Sequence, residues 1–280
     1  MNGIKSIILM MLVNLLFVLM LSIILVIFRI KLNLISFALV FGFGGAFLSL
    51  FISKWLVKRM FKMVQISAND ADIKKQLWDI TVETANRSGS PMPELWIYKD
   101  NRPNAFAVGP SRSSAMIAVS TGLIDIMDLS SMKAVIGHEM GHIVKGDMLS
   151  TTLLMGLMNS YVIWLGNLVG RWLGSNFITD IVYTISVEIC LSFLAMIPVC
   201  AFSRHREYAA DAFSAKIWGA QFMINALNTL QEYPIKVNVR KEVLATSYIN
   251  GGFTGLFATH PSTAMRVNRL NYIKKIQIES

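Results

Sequence analysis

Ala134-Val135-Ile136-Gly137-His138-Glu139-Met140-Gly141-His142-Ile143-Val144 is the stretch on which the reading of this chain turns. Residues 138–142 read H-E-x-x-H. On a helix, residues four apart stand one above the other on a single face, so His138 and His142 can aim ring nitrogens at one metal ion. Glu139 lies about 100° round that helix. That is too far round for an equal ligand, but near enough to touch a water at the metal. Two ligands, a base and an open position are the parts of metal-assisted hydrolysis. The pattern should arise by chance in a chain this size on the order of 1% of the time. Ser130 and Ser131 offer caps for the start of the helix, and Gly146 after Lys145 offers its end.

The surrounding composition is that of a membrane protein. Of 280 residues, 54% are hydrophobic and only 15% charged, and the mean hydropathy is +0.52. A soluble domain of this length is less apolar. The formal charge of +9 does not point to nucleic acid, because the basic residues flank apolar runs instead of forming one tract. There they face anionic headgroups and set topology. Cys190 and Cys200 sit in one apolar run, with neither a disulfide framework nor metal-ligand spacing.

Two apolar runs, 7–28 and 34–52, are separated by Arg29-Ile30-Lys31 and read as a transmembrane hairpin. The first is too long for a signal-peptide core and no small-residue cleavage site follows it, so a retained anchor is expected. Gly42, Gly44 and Gly45 would let the two helices approach closely. Lys54, Lys58, Arg59 and Lys62 follow and, with Lys5, outweigh Arg29 and Lys31. The N-terminus and the segment after residue 52 are therefore expected in the cytoplasm.

Two further runs, 149–169 and 181–202, follow the H-E-x-x-H helix and are joined over residues 170–180. They read as a second hairpin, about four spans in all, with a membrane-surface hairpin as the alternative for this pair. Glu188 lies inside the last run. An acidic residue there is expensive and is expected to face the bundle interior, near Asn159 or Tyr161.

The intervening segment is soluble in character. Ile73, Leu77, Ile80 and Thr84 predict a helix over 69–87 with Asp70 as its cap. Residues 95–98, 105–108 and 116–119 predict short strands, punctuated by turns at 100–103 and 109–111. A small sheet then leads through Thr121-Gly122-Leu123 into the H-E-x-x-H helix. A hydrolytic zinc site needs a third protein ligand. Glu207, in Ser203-Arg204-His205-Arg206-Glu207-Tyr208-Ala209-Ala210-Asp211, is the best candidate. Asp211, one turn on, can accept a hydrogen bond from a ligand histidine. His205 is the rival ligand, but choosing it leaves the two carboxylates unexplained.

Beyond this, Ile224, Leu227 and Leu230 continue a helix, 231–257 is irregular and near the site, and Met265, Val267, Leu270 and Ile273 suggest an amphipathic helix. The fold class is α+β, mainly helical, in an integral membrane protein. Its parts are an N-terminal transmembrane hairpin (1–56), a first catalytic segment (57–148), a second hairpin (149–202) and a second catalytic segment (203–280).

With these residues in hand, the chain resembles the HtpX-type zinc metallopeptidases, which are related to the CAAX prenyl proteases and to a mitochondrial inner-membrane stress protease. The resemblance spans nearly the whole chain. It rests on the N-terminal hairpin, Asn104-Ala105-Phe106, Ser120-Thr121-Gly122-Leu123, the H-E-x-x-H helix followed by Asp147, Glu207 with Asp211, and Thr259-His260-Pro261 with Arg266. It implies a gluzincin-like domain holding one Zn2+ on His138, His142 and Glu207, with Glu139 as general base. It implies that Asn104, Ala105 and Phe106 form the edge that holds the substrate backbone, a case of strand addition. His260 and Arg266 match the family's C-terminal pair, and His260 is a candidate oxyanion donor. It also implies a multi-pass protein of the bacterial inner membrane that cuts misfolded or damaged polypeptides on the cytoplasmic side. A noncatalytic zinc-binding scaffold and a dedicated CAAX-type processing enzyme are the alternatives. Glu139 argues against the first, because a structural zinc site does not need it. The small number of spans argues against the second.

Overall fold

The computed structural model describes residues 33–236 and 258–279. The predicted first span at 7–28 and most of the irregular 231–257 segment lie outside the described residues. In chain order the elements are α1 (Leu34–Phe61), β1 (Val64–Ile66), α2 (Asp72–Ser88), β2 (Glu94–Tyr98), β3 (Ala105–Val108), a 3-10 turn (Arg112–Ser114), β4 (Met116–Ser120), α3 (Thr121–Ile126), α4 (Leu129–Lys145), α5 (Asp147–Leu173), α6 (Phe177–Trp218), α7 (Ala220–Lys236) and α8 (Thr263–Glu279). The fold is α+β and mainly helical. Among the described residues, α1, α5 and α6 are long and apolar enough to cross a membrane.

Two compact units divide the chain. The described part of the first, residues 33–52 with Leu149–Val199, is built on small residues at helix crossings. A Cβ on Gly42 would collide with Ser160 of α5, and one on Gly156 would strike the ring of Phe43. Gly42 therefore serves an approach to α5. Gly170 and Gly174 make the same room for Thr184 and Asp180 of α6. The connection between α5 and α6 is far shorter than the stretch expected from sequence. It is closed by a box in which Ile178 N and Thr179 N donate to Asn176 Oδ1, while Ser175 N and Asn176 N donate to Thr179 Oγ1. Glu188 is not near Asn159 or Tyr161 as expected. It lies across Gly166, within 3.4 Å of the Asn167 amide.

The second unit, Ser53–Met148 with Cys200–Ser280, contains a four-stranded sheet of order β1-β2-β4-β3. Only β2 and β4 run parallel. Strand β4 is buried along its whole length, which explains why Met116-Ile117-Ala118-Val119 reads as a continuous apolar run. Ile117 and Val119 pack with Leu95 against Leu77 and Ile80 of α2 and Ile136 and Met140 of α4. Met116, Ala118 and Tyr98 face the other way, onto Val57 and Phe61.

That second face is gripped by the last turns of α1. Lys54 and Lys58 each pair with Glu94 at 2.8 Å, Lys58 Nζ stands 4.2 Å over the Trp96 ring, and Phe61 stacks near Tyr98 at 5.0 Å. Helix positions 54, 58 and 61 thus match strand positions 94, 96 and 98, because both sets line a single face. Strand β1 escaped the sequence reading because it is three residues long and follows the basic end of α1 without a turn signal.

Several ends differ from expectation. Asp128, not Ser130 or Ser131, caps α4, its Oδ1 accepting from Ser131 N at 2.8 Å. The expected stop holds: Gly146 adopts φ 67° and donates its N–H to Ile143 O. Asp70 does not cap α2. It closes the preceding turn by accepting from Ser67 N at 2.7 Å. In α8, Val267, Leu270 and Ile273 pack on α7, whereas Met265 faces out.

Candidate active site

The H-E-x-x-H residues occupy α4, which packs against α2, α7 and β3. The expected third ligand comes from α6, and α4 and α6 meet at small residues. A Cβ on Gly141 would sit 3.1 Å from Ala210 Cα, and one on Gly137 would sit 3.0 Å from Ser214 Oγ. Buried Ser214 then fixes the crossing by donating to the Ala134 carbonyl at 2.7 Å. Glu207 follows the apolar run 181–202 without a break in the chain's secondary structure. It lies on the same unbroken helix, which continues through Pro198.

The crossing brings His138, His142 and Glu207 together, with one donor atom from each lying within 4.8 Å of the others. Both Nε2 atoms face the carboxylate, His138 at 3.6 Å and His142 at 3.5 Å. Each histidine uses its other nitrogen on an aspartate. His138 Nδ1 pairs with Asp211 Oδ1 at 2.9 Å, and His142 Nδ1 with Asp147 Oδ2 at 2.6 Å. Those bonds hold Nδ1 as the donor on each ring, so Nε2 is the nitrogen that a metal ion would take in place of a proton.

The aspartates are themselves held by arginines. Arg266 grips Asp211 through Nε at 2.8 Å and Nη2 at 2.6 Å, and Arg206 Nε lies 3.2 Å from Asp147. His260 Nδ1 lies 3.1 Å from Glu207 Oε2 while its side chain stays 66% exposed. Glu139 is buried, one position after His138 on α4. His205, the rival ligand, is exposed and outside the cluster.

The electrostatics of this cluster call for a cation. Burial works against charging His138, yet hydrogen bonds to Asp211 and Glu207 outweigh it and raise its pKa to about 9. Burial likewise opposes ionisation of Glu207, but hydrogen bonds from His138 and His260 hold its carboxyl far below the usual range. Asp211 is lowered against burial by Arg266 and His138, and Asp147 by His142 and Arg206. Two imidazole nitrogens and a carboxylate oxygen that draw positive charge to one point fit a divalent metal ion.

The remaining predicted residues build an edge. Strand β3 pairs only with β4 among the described strands and so forms an edge of the sheet. The turn leading into it is pinned by the Ser120-Thr121-Gly122 segment. Asn104 N donates to Ser120 Oγ at 2.9 Å, Ser120 N returns a bond to Asn104 O at 2.9 Å, and Gly122 N donates to Asp100 O at 2.9 Å. A Cβ on Gly122 would run into the Asn101 carbonyl, so only glycine allows this approach.

Asn104 Nδ2 also donates to the hydroxyl of buried Tyr98 at 3.0 Å, and Phe106 rests on Tyr98 and Phe61. Tyr98 and Arg206 were not singled out from sequence, and Asp147 entered only through the resemblance. Their one sequence signal is position: Asp147 follows His142 by five residues, and Arg206 directly precedes Glu207. Tyr98→Phe should raise KM for an extended peptide by about 2- to 10-fold, the worth of one hydrogen bond, and leave kcat unchanged. Steady-state kinetics on matched metal contents checks it.

Comparison with known proteins agrees with the site. Residues 67–274 match Peptidase family M48. The chain belongs to that family and is a metallopeptidase with helices able to cross a membrane. It is 38% identical over 250 residues to a protease HtpX homolog of Bacillus licheniformis, covering 85% of this chain and 84% of that one. It is 36% identical over 258 residues to protease HtpX of Thioalkalivibrio sulfidiphilus, covering 86% of each. In fold it is similar to the crystal structure of S. mikatae Ste24p. The TM-score is 0.70 at 20% identity, and the match covers 97% of this chain and 66% of that one.

Proposed function

We propose that the chain is a zinc-dependent endopeptidase of the bacterial inner membrane that cuts misfolded or damaged membrane proteins on the cytoplasmic side. The observation that carries this reading is the convergence of His138 and His142 Nε2 on the Glu207 carboxylate, with both Nδ1 atoms tied to aspartates. His138, His142 and Glu207 would hold the ion. When bound, zinc supplies Lewis acidity, polarising a peptide carbonyl and making water nucleophilic near neutral pH. Glu139 takes the proton that the attacking water sheds and delivers it to the amide nitrogen as the C–N bond breaks. Asp211 and Asp147 keep both rings in the tautomer with Nε2 free. His260, beside Glu207 and open to solvent, would donate to the oxygen of the tetrahedral species. The edge strand β3 takes the substrate backbone as an added strand, with Asn104, Ala105 and Phe106 as its contact stretch.

Lys54, Lys58, Arg59 and Lys62, close to the end of α1, support the cytoplasmic orientation. Two measurements test the proposal. Purified protein treated with a strong chelator should lose cleavage of an unfolded soluble protein and regain it with zinc; activity that survives complete metal removal overturns the mechanism. In a background without Cys190 and Cys200, Ser113→Cys should react with a membrane-impermeant thiol reagent only in inverted vesicles. Labelling in intact cells overturns the orientation.

A further inference from the structure

Glu188 is an ionisable group that the hydrolytic site does not use, and it stands inside the apolar part of α6. It is seven residues past Ile181, hence about 10 Å along the helix from the start of the apolar run. A carboxylate at such a depth is costly and is retained only with a compensating role. Its local support is slight. Asn167 Nδ2 approaches Oε1 at 3.4 Å, but that amide also donates to the Ile163 carbonyl at 2.9 Å. Among the described residues no cationic group pairs with it. Ser192 bonds the Glu188 main-chain carbonyl, not its carboxylate.

Packing places the group instead of hiding it. Gly166 leaves a notch on α5 that the Glu188 side chain fills. On α6 itself, the neighbouring Ile185 and Ile189 are 51% and 56% exposed. Among the described residues, little covers the apolar stretch of this helix. Among the described residues, the carboxylate therefore lies at the margin of a broad uncovered apolar surface, anchored by one weak bond and able to accept more.

We propose that Glu188 is an intramembrane recognition site for a spanning segment of the substrate, and that it accepts a hydrogen bond or ion pair from a basic residue at its own depth. Charge complementarity selects this occupant: a lysine or arginine buried in a bilayer has the greatest need of a carboxylate partner, and segments carrying one are poorly stabilised in the membrane. The inference rests on the reading that the substrates are membrane proteins, and names the feature by which the enzyme would select them.

The test measures binding, so it does not depend on cleavage. Glu139→Gln protein is placed in nanodiscs of phosphatidylethanolamine and phosphatidylglycerol with a fluorescent single-span peptide. The peptide carries Lys, Leu or Asp about 10 Å inside the face nearer the α5–α6 connection. The Lys peptide should bind about 3- to 20-fold tighter than the Leu peptide, the range of a polar pair within a membrane, and the Asp peptide weakest. Glu188→Gln keeps an acceptor for Asn167 and should bind Lys and Leu peptides alike. Equal binding of all three by the parent, or a Lys preference that survives Glu188→Gln, overturns the proposal. The peptide series on the parent protein alone decides the matter if the variant fails to fold.

Discussion

Glu139→Gln should retain a full complement of metal and lose proteolysis by about 10²- to 10⁴-fold, the contribution of a positioned proton-transfer group. The two halves of that result have separate causes. Metal retention follows because the converging atoms belong to His138, His142 and Glu207 and none belongs to Glu139. Loss of rate follows because Glu139 is the carboxylate next to the ligand His138 on α4, buried where water is scarce. Glutamine keeps the shape and one acceptor, so the fold and the α4 crossing with α6 should survive. What it cannot do is accept a proton. Single-turnover cleavage of an unfolded protein, set beside metal analysis of the same preparation, makes the measurement. Undiminished turnover at full metal would remove Glu139 from the proton path and sink the mechanism.

The cluster of His138, His142 and Glu207 was legible in sequence because its spacing is a property of the helix. His138 and His142 must share a face, and Glu207 and Asp211 must share another, whatever the remainder of the chain does. The strands could be read for a similar reason: 95–98, 105–108 and 116–119 are short, apolar and bounded by turns. What stayed hidden depends on contacts between segments far apart in sequence. Arg206 looks like one of several basic residues near a membrane helix until Asp147 is brought beside it. Tyr98 looks like a strand residue until Asn104 folds back onto its hydroxyl.

Helix ends were misread where two side chains could each serve. Asp128 caps α4 because it stands just before the first turn, where its carboxylate accepts from Ser131 N at the positive end of the helix dipole, while Ser130 and Ser131 already lie within the helix. Glu188 was recognised as unusual, but its neighbour was misjudged. Asn159, Tyr161 and Asn167 all lie on α5, and only the crossing geometry selects Asn167, next to the notch at Gly166.

The second large effect concerns the ligands and the groups behind them. Apo protein titrated with zinc against a competing chelator should rank the variants in a fixed order. Glu207→Ala removes a donor atom and should drop affinity furthest, leaving His138 and His142 one protein ligand short of a hydrolytic site. Asp211→Asn and Asp147→Asn leave all three donors in place and weaken only the hold on the rings, so each should lose about 10- to 100-fold. The two need not be equal. Asp211 is nearly enclosed and takes Nε and Nη2 of Arg266, so asparagine there leaves a buried guanidinium poorly matched. Full truncation at such a buried pair typically costs about 3–5 kcal/mol of stability, which is why asparagine and not alanine is the probe. Asp147 has the shorter bond to its histidine, 2.6 Å against 2.9 Å, and lies against Arg206. Asp147→Asn should therefore give the cleaner reading of what ring orientation is worth. His205→Ala should bind zinc as the parent does, because that ring is exposed and outside the cluster. If His205→Ala empties the site while Glu207→Ala leaves it filled, the third ligand has been assigned to the wrong residue of α6. If the aspartate variants lose as much as Glu207→Ala, those carboxylates bind the metal directly and the pairing of each with a histidine Nδ1 does not describe the loaded site.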